Sequence, residues 1–190
     1  MYHTPGMNHI GVIGVGGVGG FFGGKLCRLQ DPPHKFSVAF LARGAHLRAI
    51  QRSGLQLSTE TDGEVVCKPG LATDDFEALP PLDLCLLCVK EFDLAAVLDR
   101  LAPRIHERTV ILPLLNGVDV PERIRARIAH GIVLPACVYV GTHIESPGRV
   151  VQRGGACRIY CGPDPRQTGF DPGPDRKSTR LNSSHVALSR

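Results

Sequence analysis

Several features that would assign this 190-residue chain at a glance are missing from it. No apolar run approaches the ~18 residues of a membrane span. The opening Met1-Tyr2-His3-Thr4-Pro5-Gly6 lacks the basic segment and apolar stretch of a secretory signal, and Met7 serves equally well as a start. Cys85-Leu-Leu-Cys88 has CxxC spacing, but no second CxxC or paired-histidine motif accompanies it to complete a zinc site. Residues three apart on a strand also face opposite sides, which separates the two thiols. Cys85, Cys88 and Cys137 lie within apolar runs, where a free thiol behaves as a small hydrophobe. The seven cysteines therefore read as core residues of a reduced, cytoplasmic protein rather than as a disulfide or metal framework. Internal repeats are absent too. The excess of charge is small, 22 basic against 18 acidic side chains, and hints only weakly at an anionic partner.

What is present is a globular pattern, 43% hydrophobic and 21% charged. Short apolar runs alternate with helical periodicity, which predicts an α/β architecture with a mainly parallel, doubly wound sheet. Strands are expected at 9–14, 35–41, 82–89 and 109–115, with Pro113 near the end of its strand or at a bulge. Helices are expected over 17–29, 45–53 and 91–101, and another opens at Asp119, where an N-cap is followed by proline. The segments 55–58 and 64–69 alternate and read as short strands near a sheet edge. Residues 132–140 and 148–162 read as two further strands joined by Glu145-Ser-Pro-Gly148. Beyond Pro163 the chain turns rich in Pro, Gly, Ser and Arg and loses any apolar period.

The chemistry concentrates in Gly14-Val15-Gly16-Gly17-Val18-Gly19. A GxGxxG between a strand and a helix is a pyrophosphate cradle: the first glycine makes the tight turn and the second admits the phosphate. The third lets helix and strand pack closely, and the helix N-terminus offers unpaired N–H groups. A glycine-rich turn without a ligand is the plainer reading. The second strand ends Leu41-Ala42-Arg43, and no carboxylate occurs anywhere in Lys35–Gln51 to accept from ribose hydroxyls. Arg43 suits a 2′-phosphate instead. Such a charge-assisted contact is worth roughly 1.5–3 kcal/mol, a preference of roughly tenfold to a hundredfold for NADP(H) over NAD(H). A solvated loop arginine is the alternative. Lys90 and Asn116-Gly117 follow two more buried strands, and in an open parallel sheet ligands lie beyond the carboxyl ends of the strands.

Taken in order, these motifs resemble the ketopantoate reductase family. The likeness runs from about His9 to Asp164 through Ile10–Gly24, Leu41–Ile50, Leu86–Lys90 with Asp93, Leu115–Val118 and Tyr139–Gly148. It implies a Rossmann-type domain that binds NADPH for reduction of a small 2-oxoacid, ketopantoate, to pantoate in pantothenate synthesis. It implies further that Gly14–Gly19 hold the pyrophosphate, Arg43 and Lys90 the adenosine phosphate, Asn116 the nicotinamide side, and that the backbone near Ile144 touches the cofactor. Leu115 departs from the family, which usually has a polar residue before Asn-Gly. The family's helical C-terminal domain, with its general-acid lysine, has no counterpart here, so no catalytic residue is assigned and the chain reads as a cofactor-binding fragment inactive alone.

Asp175–His185 resembles the conceptual translation of a sequencing-library adapter, with 186–190 continuing it; a basic nucleic-acid-binding arm and a polar tail are the competing readings. That tail carries four basic residues and one acidic, so the apparent basicity belongs mostly to it. The expected division is an extension over 1–8, the dinucleotide domain over 9–165, a linker over 166–174 and a disordered tail over 175–190. No metal, nucleic acid or membrane is expected as a partner. Other NADP-dependent 2-oxoacid or 3-hydroxyacid dehydrogenases, and a non-catalytic NADP-binding module, are the alternatives.

Overall fold

A computed structural model describes residues 8–30, 36–162 and 184–186. In chain order the elements begin β1 (His9–Ile13), α1 (Gly17–Cys27), β2 (Ser37–Leu41), α2 (Gly44–Ser53), β3 (Leu55–Thr59), β4 (Gly63–Cys67), β5 (Leu71–Thr73) and β6 (Leu82–Leu87). A 3-10 turn (Glu91–Asp93) then runs into α3 (Leu94–Leu101), followed by β7 (Ile105–Pro113), α4 (Val120–Arg125) and β8 (Ile132–Val133). The chain closes with β9 (Ala136–Tyr139), β10 (Thr142–Ser146), β11 (Arg149–Gln152), β12 (Arg158–Cys161) and β13 (Ser184–Val186).

Strands that are apolar at nearly every residue need cover on both faces, which is how parallel sheets are built. Six strands, β7 with a polar start at His106–Thr109, form a sheet in the order β5-β2-β1-β6-β7-β8, every pair parallel. On one face Val12, Phe40 and Leu86 pack against Phe21 and Phe22 of α1 and Leu47 and Ile50 of α2. On the other, Ile13, Leu41 and Leu87 meet Leu94 and Leu98 of α3 and Ile124 of α4. The chain thus winds outward from β1 in both directions. This is the Rossmann-type arrangement, and its order reverses between β1 and β6.

Helix α1 is unusual in composition. Five of its eleven residues are glycine, each costing about 1 kcal/mol of helix propensity relative to alanine. Its stability must come from its surroundings. A Cβ at Gly23 would stand 2.8 Å from Phe40 Cε1, on the parallel sheet, and one at Gly20 would stand 2.7 Å from Val150 Cγ2, on β11. The second neighbour belongs to a separate sheet, β10-β11-β3-β4, in which β11 runs parallel to β3 while β10 and β4 are antiparallel to their partners. Leu55, Leu57 and Val150 carry this sheet onto the outer side of α1. The helix is sandwiched and buried nearly all round.

The structure redraws several expected elements. Residues 132–140 are not one strand: Leu134-Pro135 separate β8, an edge of the parallel sheet, from β9, which joins β12 and β13. Proline removes a ladder donor, so a strand ends where it stands. The run 148–162 likewise divides into β11 and β12, because Gly154, Gly155 and Cys157 all take positive φ between them. Strands β5 and β10 were not foreseen. The pair β3-β4 is an antiparallel hairpin outside the parallel sheet. Pro113 is the last residue of β7, as expected. Cys85 and Cys88 pack into cores on opposite faces, and burial pushes the Cys85 thiol up to about 12. Cys137, expected in the core, is exposed: on β9 it alternates with Ala136 and Val138, which face inward. Of the tail expected to lack structure, Ser184–Val186 pairs with β12. The extension 1–7, the loop 31–35, the linker 166–174 and the rest of the tail lie outside the described residues.

Gly23→Val forces two further methyl groups onto Phe40 and Val12. It is expected to cost about 1–3 kcal/mol, read as a lowered urea midpoint. An unchanged midpoint would show that α1 is free to lift from the sheet.

Candidate functional site

At the reversal between β1 and β6 the carboxyl ends of β2, β1 and β6 open into a cavity of about 620 Å³, a size suited to a cofactor. Its walls take Gly14–Gly16 from the turn after β1, Leu41–Arg43 from the end of β2 and Cys88–Lys90 from the end of β6. Ile144 of β10, 44% exposed, contributes from the second sheet.

The glycine turn is held from both sides. Gly14 takes φ +93°, a conformation that L side chains rarely adopt. Its N–H donates to the Leu41 carbonyl at 3.0 Å, and the Gly16 N–H donates to the Gly14 carbonyl at 3.0 Å. A Cβ at Gly19 would run into the Gly14 carbonyl oxygen, so the helix can begin this close to β1 only with glycine there. Gly16 is different. Its φ is −90°, and a Cβ there would meet nothing within 4 Å. Among the described residues nothing requires glycine at that position; the space it leaves belongs to the cavity. Gly16 is also the N-cap of α1, with no side-chain cap and no acidic residue in the first turn. The N-terminal amides and the positive end of the helix dipole are left to an external anion. The residues present therefore fit a dinucleotide's pyrophosphate.

Of the ten residues singled out from the sequence, Gly14, Val15, Gly16, Arg43, Lys90 and Ile144 stand in the walls. Gly17, Val18 and Gly19 lie just behind them in the first turn of α1. Asn116 follows β7 at the same end of the sheet, but it is exposed and outside the walls. The sequence reading missed the side chains that α3 brings in. Ala96, Val97 and Arg100 line the cavity together with Asp93, which was noted beside Lys90 but given no role, and the spacing of three and four along a helix was the available signal. Arg100 lies 4.3 Å above the Phe76 ring, making one side of the cavity a stacked plane. Among the described residues no group of His, Cys, Asp and Glu is placed to hold a metal ion.

His46 was missed as well. It lies one turn along α2 from Arg43, and its Nδ1 accepts a hydrogen bond from the Gly148 N–H at 2.9 Å. This seats the β10–β11 turn on α2. An accepting Nδ1 carries no proton, so the neutral ring holds its proton on Nε2, which is buried. Burial lowers the His46 pKa below its usual 6.5, with the Val15 carbonyl opposing that shift. A histidine whose folded pKa is depressed contributes stability that is present above its unfolded pKa and lost as pH falls below it. Lowering the pH from about 7.5 to about 5.5 is therefore expected to cost the wild type more stability than His46→Gln, measured by urea denaturation. Equal losses in both proteins would show that the imidazole accepts a proton in place.

The comparisons with known proteins agree with this geometry. A model of the ketopantoate reductase PanE/ApbA family matches residues 10–166. The chain is 29% identical over 161 residues to the 2-dehydropantoate 2-reductase of Mesorhizobium japonicum, covering 74% of this chain and 48% of that protein. It superposes on the crystal structure of 2-dehydropantoate 2-reductase from Porphyromonas gingivalis W83 with a TM-score of 0.72 at 34% identity, covering 80% of this chain and 53% of that one. It also shares its fold with D-mandelate dehydrogenase, in a ternary structure with NADH and anilino(oxo)acetate (TM-score 0.63, 23% identity, 77% and 45% covered). The chain spans about half the length of the curated relatives it matches. The family match takes in the glycine turn and the whole crevice around it, and the chain belongs to the ketopantoate reductase PanE/ApbA family of pyridine-nucleotide-dependent oxidoreductases.

Proposed function

We propose that this chain is the NADP(H)-binding half of a 2-dehydropantoate 2-reductase, an enzyme that reduces ketopantoate to pantoate. The observation that carries the reading is the combination at the crevice. A glycine that only a ligand requires, Gly16, shares its walls with two cations, Arg43 and Lys90, and no carboxylate ends β2. Gly14–Gly19 hold the pyrophosphate, and Arg43 and Lys90 hold the 2′-phosphate of the adenosine end. Asn116, on the loop after β7, lies toward the nicotinamide end, and the Ile144 backbone closes the cofactor in from β10. The bound cofactor supplies a hydride for a keto carbon. This chain's residues bind and orient it, while the proton for the developing alkoxide comes from the half of the relatives that the chain does not span.

A second reading, an NAD(H)-dependent 2-oxoacid dehydrogenase, is favoured by one observation: the Arg43 guanidinium already has an anionic partner within the chain, Asp93. The two readings separate on Arg43. Its side chain is 78% exposed, so water screens its charge and the lower end of the expected preference applies. Arg43→Ala is expected to weaken NADPH binding by roughly tenfold and leave NADH binding within about twofold, by titration calorimetry. An unchanged NADPH-to-NADH ratio would favour the second reading.

Gly16→Val tests the cradle itself. Unfolding is expected to shift by no more than about 1 kcal/mol, the difference between glycine and valine at an N-cap, while both dinucleotides lose roughly tenfold or more in affinity because the side chain fills the phosphate's space. Undiminished binding would place the pyrophosphate elsewhere.

A further inference from the structure

Arg43 and Asp93 sit on opposite sides of the crevice. Arg43 follows β2 and Asp93 closes the 3-10 turn after β6, with β1 and its glycine turn between them in the sheet. Arg43 Nη2 donates to Asp93 Oδ2 at 2.9 Å, so the ion pair spans the mouth of the cavity over the carboxyl end of β1. The two ends of the bridge are not alike. The arginine side chain is 78% exposed and the aspartate 29%. The Asp93 backbone N–H is tied to the Lys90 carbonyl at 3.0 Å. Although Asp93 is the N-cap of α3, its side chain makes no capping hydrogen bond. The carboxylate is thus the anchored end, turned to the guanidinium, and the arginine is the end able to swing.

We propose that Asp93 is a specificity-determining residue of the dinucleotide site, holding Arg43 across the crevice and competing for it with the 2′-phosphate of an incoming ligand. The inference rests on the reading of Arg43 as the phosphate's partner. A ligand with a 2′-phosphate must take the guanidinium from an internal anion, whereas one without it leaves the bridge intact. The preference for the phosphorylated dinucleotide is then narrower than Arg43 alone would set. Asp74, also in the wall, adds a second negative charge to the same rim and acts in the same direction.

The probes are 2′,5′-ADP and 5′-AMP, which differ only in the 2′-phosphate, titrated calorimetrically into the wild type, Asp93→Asn, Arg43→Ala and the double variant. Asp93→Asn is expected to tighten 2′,5′-ADP by roughly threefold to tenfold and leave 5′-AMP within about twofold. The gain should shrink when Arg43 is already absent, and Asp93→Glu, which keeps the charge, should behave as the wild type. If Arg43→Ala weakens 2′,5′-ADP while Asp93→Asn changes nothing or weakens it, the competition is overturned and the role of Arg43 stands. Equal tightening of both probes by Asp93→Asn overturns it too, as general relief of charge. If Arg43→Ala leaves the ratio of the two probes unchanged, the reading of Arg43 fails and the inference fails with it.

Discussion

The contact on which the rest of the molecule depends is the one between Gly19 and the Gly14 carbonyl. It sets how closely α1 starts behind β1, and so where the helix amides lie relative to the carboxyl ends of the neighbouring strands. Four glycines of α1, Gly19 among them, carry the same logic along the helix. Gly19 and Gly23 bring it onto the parallel sheet, and Gly20 and Gly24 bring the second sheet onto it. A helix with ordinary side chains at these positions would stand off from both sheets and carry its N-terminus away from the crevice. The propensity sacrificed along α1 is recovered as burial of Phe21, Phe22 and Leu26.

The electrostatics of the site are local. The chain's net charge of +4 says little about the crevice, because surface charges more than about a Debye length away are screened. What matters is the rim, where Arg43, Lys90 and Arg100 face Asp74 and Asp93. On the reading proposed for Asp93, a site of mixed sign discriminates by exchange of partners rather than by bulk attraction. That is why one hydrogen-bonded pair on the rim weighs more than the overall balance of charge.

Much of this was legible in the residues. Runs such as Leu82–Leu87 are apolar on both faces, so their place in a covered parallel sheet follows from composition alone. The glycine spacing after β1 marked a turn that the structure places in the cavity wall, and Arg43 and Lys90, singled out by position after buried strands, line the same wall. What could not be read is tertiary in origin. The three residues of β5 carry too little pattern to register as a strand. Pro135 breaks a stretch that otherwise alternates well, and only the structure shows β8 and β9 parting to different sheets. Asp93, Val97 and Arg100 share a helix face with core positions to either side, so periodicity alone did not separate cavity wall from core. Asn116 shows the converse limit, since being next after a buried strand did not bring it into the wall.

The parallel pairing of β11 with β3 carries a consequence for how the chain assembles. Arg149 pairs with Gln56 and Val150 with Leu57, so part of the cover over the outer side of α1 comes from a segment more than a hundred residues downstream of the helix. Contacts of such sequence separation form late, because the closure entropy of the intervening chain must be met first. During synthesis, the glycine helix emerges well before the strand that it waits for. The cradle at its head takes its final shape only when the ribosome has released the strands that close over its back.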